Sequence, residues 1–116
     1  MSYTIMIAED DEDIAELISL YLENDDFQVI LARDGKQALR LFETQDVDLL
    51  IVDLMMPEMN GFELCRTLKT NIEYSHIPII LLTAKATIQS KIEGIELGAD
   101  DYIEKPFSTE YLLARI

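Results

Sequence analysis

The sequence is poor in cysteine, histidine and basic residues, and each shortage closes off a class of function. The lone Cys65 excludes an internal disulfide and fits a reducing cytosol. Lys and Arg number 9 against 23 Asp and Glu, for a formal charge of −14. Gripping a nucleic-acid backbone needs clustered Lys and Arg, so direct nucleic-acid binding is not expected. Divalent cations and basic partner surfaces suit such a chain, although most of the acid serves as solubilising surface. No apolar stretch approaches the roughly 18 residues needed to cross a bilayer. The first residues show no basic region followed by an apolar stretch and a small-residue cleavage site. No membrane partner is expected, and the expected location is cytoplasmic. The only histidine, His76, falls in a loop before Pro78, so no strong base for activating water is in view.

There is also no repeat, low-complexity tract or flexible linker. The 116 residues, 49% apolar, make one domain with a core of its own. Strand and helix patterns alternate along it. Tyr3–Ala8 reads as a strand, and residues 12–24 place Ile14, Leu17, Ile18, Tyr21 and Leu22 at helical spacing. Phe27–Leu31 is a second strand, and Asp34 caps a helix through Ala38, Leu39, Leu41 and Phe42. Leu49–Val52 is apolar throughout, as suits a central parallel strand. Asn60 precedes a helix with Gly61, Leu64, Cys65 and Leu68 on its buried face and Glu63 at its third position. Ile79–Leu82 follows Pro78 as the fourth strand. Ile88, Ile92 and Ile95 mark a fourth helix stopped by Gly98, Tyr102–Glu104 is a short fifth strand, and Ser108 caps a last helix with Tyr111, Leu112 and Leu113. The expected fold is a (βα)5 doubly wound α/β domain with a five-stranded parallel sheet in the order 2-1-3-4-5. The last helix stops after about two turns, so residues 1–116 are expected to be a domain excised from a longer protein.

In such a sheet the strand ends converge on one rim. Asp53 ends the third strand and is expected at its exposed end. Glu9-Asp10-Asp11 ends the first strand, Thr83 the fourth, and Lys105 the fifth. Singly, each has a plainer reading: Asp10 to Asp13 complement a helix dipole, Asp53 is a loop or cap residue, Thr83 a strand end and Lys105 a surface charge. Their convergence favours chemistry. Glu9, Asp10 and Asp53 bring three negative charges, Lys105 one positive, and one divalent ion closes the balance. Mg²⁺ prefers hard oxygen ligands and keeps positions for water or phosphate, and a carbonyl after Asp53 could supply one more oxygen. Ionised Asp53 could then attack a phosphoryl group. The ion, Lys105 and the Thr83 hydroxyl would stabilise its three equatorial oxygens.

Four blocks carry a family resemblance: Ile7-Ala8-Glu9-Asp10-Asp11, Asp53 through Gly61, Leu82-Thr83-Ala84 and Gly98 through Phe107. In order and spacing they resemble the receiver domain of bacterial two-component response regulators, over essentially the whole chain. The resemblance implies a flavodoxin-like fold, and a phosphoryl group taken by Asp53 from a phosphohistidine on a sensor histidine kinase. It implies a switch that assists its own phosphorylation and slow dephosphorylation, not a turnover enzyme. Glu9 and Asp10 match the acidic pair, with Asp10 the direct Mg²⁺ ligand, although Asp11 can be counted into the pair instead. The main-chain carbonyl of Met55 matches a third protein ligand. Thr83 and Lys105 match the hydroxyl and ammonium groups, and Tyr102 the switch aromatic. The Lys105-Pro106 bond matches one that is cis in the family.

The block after Gly98, with Ala114-Arg115-Ile116, resembles the OmpR-like class, which implies transcription regulation through an attached winged-helix domain. In that class receivers dimerise through the face of the fourth helix, fifth strand and last helix. Lys91, Glu96, Asp101 and Arg115 match charges used there, but Tyr111 stands where an acid would pair with Lys91. The segment Lys69–Ile77 is longer than usual for that class and resembles loops of receivers fused to hybrid kinases. Two competing readings fit less well. A phosphatase of the haloacid-dehalogenase type would need an acid at Met55 and its nucleophile after the first strand. A pseudo-receiver would lack one of the site residues.

Overall fold

The structure is a computed structural model that describes residues 3–53, 61–83 and 101–104, with Ala114 and Ile116. Five parallel strands, β1 (Thr4–Ala8), β2 (Gln28–Ala32), β3 (Leu49–Asp53), β4 (Ile79–Thr83) and β5 (Asp101–Glu104), form one sheet in the order β2-β1-β3-β4-β5. That is the order expected from the sequence. The strands β1 and β3 are interior and almost wholly apolar because both faces are covered. Edge strand β2 tolerates exposed Gln28 and Leu31.

Pleat alternation divides the core between the two faces. Met6, Ala8, Leu50 and Val52 face one way and pack with Ala38 and Phe42 of α2 (Gly35–Thr44) and Leu64, Cys65 and Leu68 of α3 (Gly61–Lys69). Ile5, Ile7, Leu49 and Ile51 face the other way and pack with Ile18 and Leu22 of α1 (Glu12–Asn24). Helices on both faces make the sheet doubly wound. The expected fourth helix, most of the expected last helix with its cap Ser108, and Asn60, the expected cap of α3, lie outside the described residues.

The register of β1 on β3 is fixed at its lower end by Asp48. Its amide donates to the Thr4 carbonyl at 2.8 Å, and its carboxylate accepts the Thr4 amide at 2.8 Å. From there Ile5 pairs with Leu49 and Ala8 with Val52.

Helices α1 and α2 each start on a carboxylate. Asp11 caps α1, and Asp34 caps α2 by accepting the Gln37 amide at 2.8 Å. The Gln37 side chain turns back to accept the Arg33 amide at 2.7 Å, a variation on the capping box. On α1, the expected apolar stripe needs correction. Leu17 and Tyr21 are exposed, while Ala15 and Ser19 are buried beside Ile18 and Leu22. Small side chains let the helix lie close to the sheet, and the Ser19 hydroxyl is satisfied by Glu23 Oε1 at 2.8 Å. The long segment after α3 is ordered by its own bonds. Lys69 Nζ donates to the carbonyls of Ser75 and Ile77 at 3.2 and 2.9 Å, and the Tyr74 ring packs on Phe42 with centroids 5.2 Å apart.

α1 ends in a Schellman motif built without glycine. The Phe27 amide donates to the Leu22 carbonyl and the Asp26 amide to the Glu23 carbonyl, each at 3.1 Å, while Asp26 takes φ 68°. A left-handed backbone costs a residue with a Cβ about 1–2 kcal/mol, though Asp tolerates it better than most. The Asp26 charge also opposes the negative helix end. Asp26→Gly removes both penalties, against about 0.4–1 kcal/mol of extra freedom in the unfolded chain. A net stabilisation of about 0.5 kcal/mol is expected, read as a higher urea midpoint with unchanged slope; Asp26→Val is expected to lower the midpoint.

Candidate functional site

The chain leaves β1 toward β2 on one side, and β3 lies on the other, so a crevice opens where the two strands end. The last paired residues there are Ala8 and Val52. One step further along each strand are Glu9 and Asp53. Glu9 stays tied to the sheet, because its amide donates to the Ala32 carbonyl of β2 at 3.0 Å. Asp53 is still part of β3 and pairs in register with Leu82.

Carboxylate oxygens of Glu9, Asp10 and Asp53 all lie within 4.8 Å of one another. Glu9 is 2% and Asp53 6% exposed, while Asp10 opens to solvent. The burial of Asp53 corrects the expectation of an exposed strand end. β3 is central, and its last residue is flanked by the β1 side and by β4. Two ionised carboxylates at 4.8 Å repel by about 3 kcal/mol at an effective dielectric constant near 20. A cation relieves that repulsion. The donors are all hard oxygens, which fits a divalent cation of the Mg²⁺ or Ca²⁺ kind rather than one that prefers sulfur. Cys65, the one thiol in the chain, is buried in α3 among apolar side chains.

Thr83 ends β4, one residue beyond the Leu82 that pairs with Asp53, and so reaches the same rim. It pairs with Glu104 of β5. Lys105 comes next in sequence but, like Met55, lies outside the described residues. Tyr102 is in β5, in register with Leu81. Of the four charges matched to a dimer face, Asp101 opens β5 and is half-buried; Lys91, Glu96 and Arg115 lie outside the described residues. His76 is exposed in the segment before β4.

Residue identity alone left Asp11 open as a member of the acidic pair. The structure gives it other work: its Oδ1 accepts the amides of Asp13 at 3.0 Å and Ile14 at 3.2 Å. The signal was present in the sequence, as an acid directly before a helical apolar pattern. An ion pair between Arg33 and Glu12, 3.1 Å apart, joins the loop after β2 to the first turn of α1. Both side chains are about three-quarters exposed, so solvent screening leaves it little weight.

Comparison with known proteins agrees with this geometry. Residues 5–116 match the family model of the response regulator receiver domain. The response regulator ArlR of Staphylococcus saprophyticus is 44% identical over 97% of this chain and 50% of its own length. The alkaline phosphatase synthesis transcriptional regulatory protein PhoP of Bacillus subtilis is 40% identical over 100% of this chain and 48% of its own. The chain thus spans about half the length of these relatives. Among solved structures, the signal receiver domain of a histidine kinase from Syntrophus aciditrophicus superposes with a TM-score of 0.92 at 37% identity, covering 98% of this chain and 86% of that one. Among the described residues, no helix is long and apolar enough to cross a membrane.

A cation that binds only the folded site raises stability by mass action, by about 1.4 kcal/mol at ten times its dissociation constant. Mg²⁺ is therefore expected to raise the melting temperature of the wild-type chain over that in EDTA. The increment should shrink sharply in Asp53→Asn, which keeps the shape of the site and loses one charge. An equal increment in both proteins would place the cation elsewhere.

Proposed function

The chain belongs to the family of response regulator receiver domains, and from that premise we propose that Asp53 is its phosphoacceptor, working with Mg²⁺ held by Glu9, Asp10 and Asp53. The single observation that carries this reading is the meeting of those three carboxylates within 4.8 Å at the crevice between β1 and β3. In the family the partner is a sensor kinase, and its phosphohistidine is the expected donor here. A carboxylate oxygen of Asp53 forms a bond to phosphorus as the phosphorus–nitrogen bond breaks. The electron pair of that bond leaves with the imidazole, which is protonated from solvent, and Asp53 becomes an acyl phosphate.

When bound, Mg²⁺ supplies positive charge for the phosphoryl oxygens. In this reading Asp10 would be its direct ligand, and Glu9, Asp53 and the Met55 carbonyl would supply the remaining protein oxygens. Thr83 donates its hydroxyl to one phosphoryl oxygen, and Lys105 places its ammonium on another. These groups position the reactants and stabilise charge. The chain thus assists its own phosphorylation. Its return by hydrolysis is slow, because His76, the only histidine, lies in the segment before β4 and not on this rim.

The output is a shift between two packings. Phosphorylated Asp53 adds charge and acceptor oxygens, Thr83 moves toward them, and Tyr102 turns inward into the space vacated. This repacks the face of the fourth helix, fifth strand and last helix. That face would meet a second receiver through Lys91, Glu96, Asp101 and Arg115, or an output domain. A transcriptional output is supported by the name of the Bacillus relative. Residues 1–116 are read as the receiver module of a longer cytoplasmic protein, with DNA contact left to the effector.

Two measurements test the assignment. Incubated with radiolabelled acetyl phosphate and Mg²⁺, the wild-type chain is expected to take up label and Asp53→Asn to take up none; label retained in the variant would place the acceptor elsewhere. Lys105→Ala is expected to keep the wild-type circular dichroism spectrum while its labelling rate falls by about tenfold or more, in line with removing one charge-stabilising group. An unchanged rate would make Lys105 a surface charge.

A further inference from the structure

Three acids stand in a row between β1 and α1, and they do three different things. Glu9 is held by the sheet through its amide bond to Ala32 at 3.0 Å. Asp11 is held by α1. Its carboxylate accepts the Asp13 and Ile14 amides at 3.0 and 3.2 Å, and its carbonyl accepts the Ala15 amide at 3.0 Å. Asp10, between them, is the exposed member of the acidic cluster.

A residue has two soft backbone dihedrals. When both neighbours are fixed to rigid elements, those dihedrals are fixed with them. α1 is such an element, since Ile18 and Leu22 are buried against Ile5 and Ile7 and Ile14 packs beside them. Capping also points the Asp11 carboxylate at the helix amides, away from competition for the cation.

We propose that Asp11 is a positioning residue for the phosphoacceptor site, acting through its helix cap to hold Asp10 where the cation binds. The inference rests on the Mg²⁺-assisted reading above and adds to it a division of labour among adjacent acids. The cap, not the charge, is the active ingredient. Asn and Ser cap helices about as well as Asp, and Ala does not.

Mg²⁺ affinity of the full chain, measured by calorimetric titration at a temperature where every variant is folded, separates the possibilities. Asp11→Ala is expected to weaken Mg²⁺ binding by about tenfold, the low end for a residue that orients a metal ligand. Asp11→Asn and Asp11→Ser are expected to stay within about twofold of wild type, because both keep the cap. If Asn and Ser fall as far as Ala, Asp11 acts by charge and the proposal is overturned. If Ala loses melting temperature but keeps wild-type affinity, the cap serves stability alone and the proposal is again overturned.

A second measurement needs no variant. If the cap and the cation site are coupled, Mg²⁺ must strengthen the cap as much as the cap strengthens Mg²⁺ binding. Amide exchange at Asp13 and Ile14 is then expected to slow when Mg²⁺ is added, and unchanged exchange with Mg²⁺ bound would overturn the coupling. A wild-type chain that gives no Mg²⁺ titration at all would remove the metal-assisted reading itself, and this inference with it.

Discussion

The parallel pairing of β1 with β3 is the constraint on which the rest of this structure depends. Asp48 fixes that pairing at one end with two bonds to Thr4, and the acidic cluster appears at the other. Strand side chains alternate with a period of two, so a slip of one residue would move every core side chain to the opposite face. Met6 and Ala8 would leave the α2–α3 side, and Ile5 and Ile7 the α1 side. The same slip would separate Glu9 from Asp53. Packing and chemistry are therefore selected together, and the apolar interior fixes the placement of charges that it does not touch.

Burial then divides the acids by role. Among the described residues, most of the carboxylates lie where water screens them. Glu9 and Asp53 do not, and this makes their mutual repulsion costly and a cation welcome. Asp11 and Asp34, chemically the same as Asp53, spend their oxygens on helix amides. Asp48 spends its oxygens on the strand register. One residue type thus serves as cap, register pin and candidate ligand, and the backbone groups nearby decide which.

Much of this was legible before any coordinates. The order of apolar runs set the sheet order, and the cap at Asp34 and the buried face of α3 follow from spacing and chemistry that act within a turn or two of helix. What escaped was decided by contacts distant in sequence. α1 buries Ala15 and Ser19 in place of Leu17 and Tyr21, because its approach to the sheet rewards small side chains and a pattern of hydrophobicity does not weigh size. Asp53 is buried because two other strands flank it, which its own neighbours in the chain do not reveal. The role of Asp11 was ambiguous for the same reason. Three successive acids look alike until the directions of the amides are known.

The single thiol is sealed at the interface of α3 with the sheet, with no solvent-accessible surface. A thiol-selective reagent can reach it only when that helix lifts away. The rate of Cys65 modification is therefore a built-in clock for opening of the α2–α3 side, recorded by one atom in a chain that offers no competing thiol.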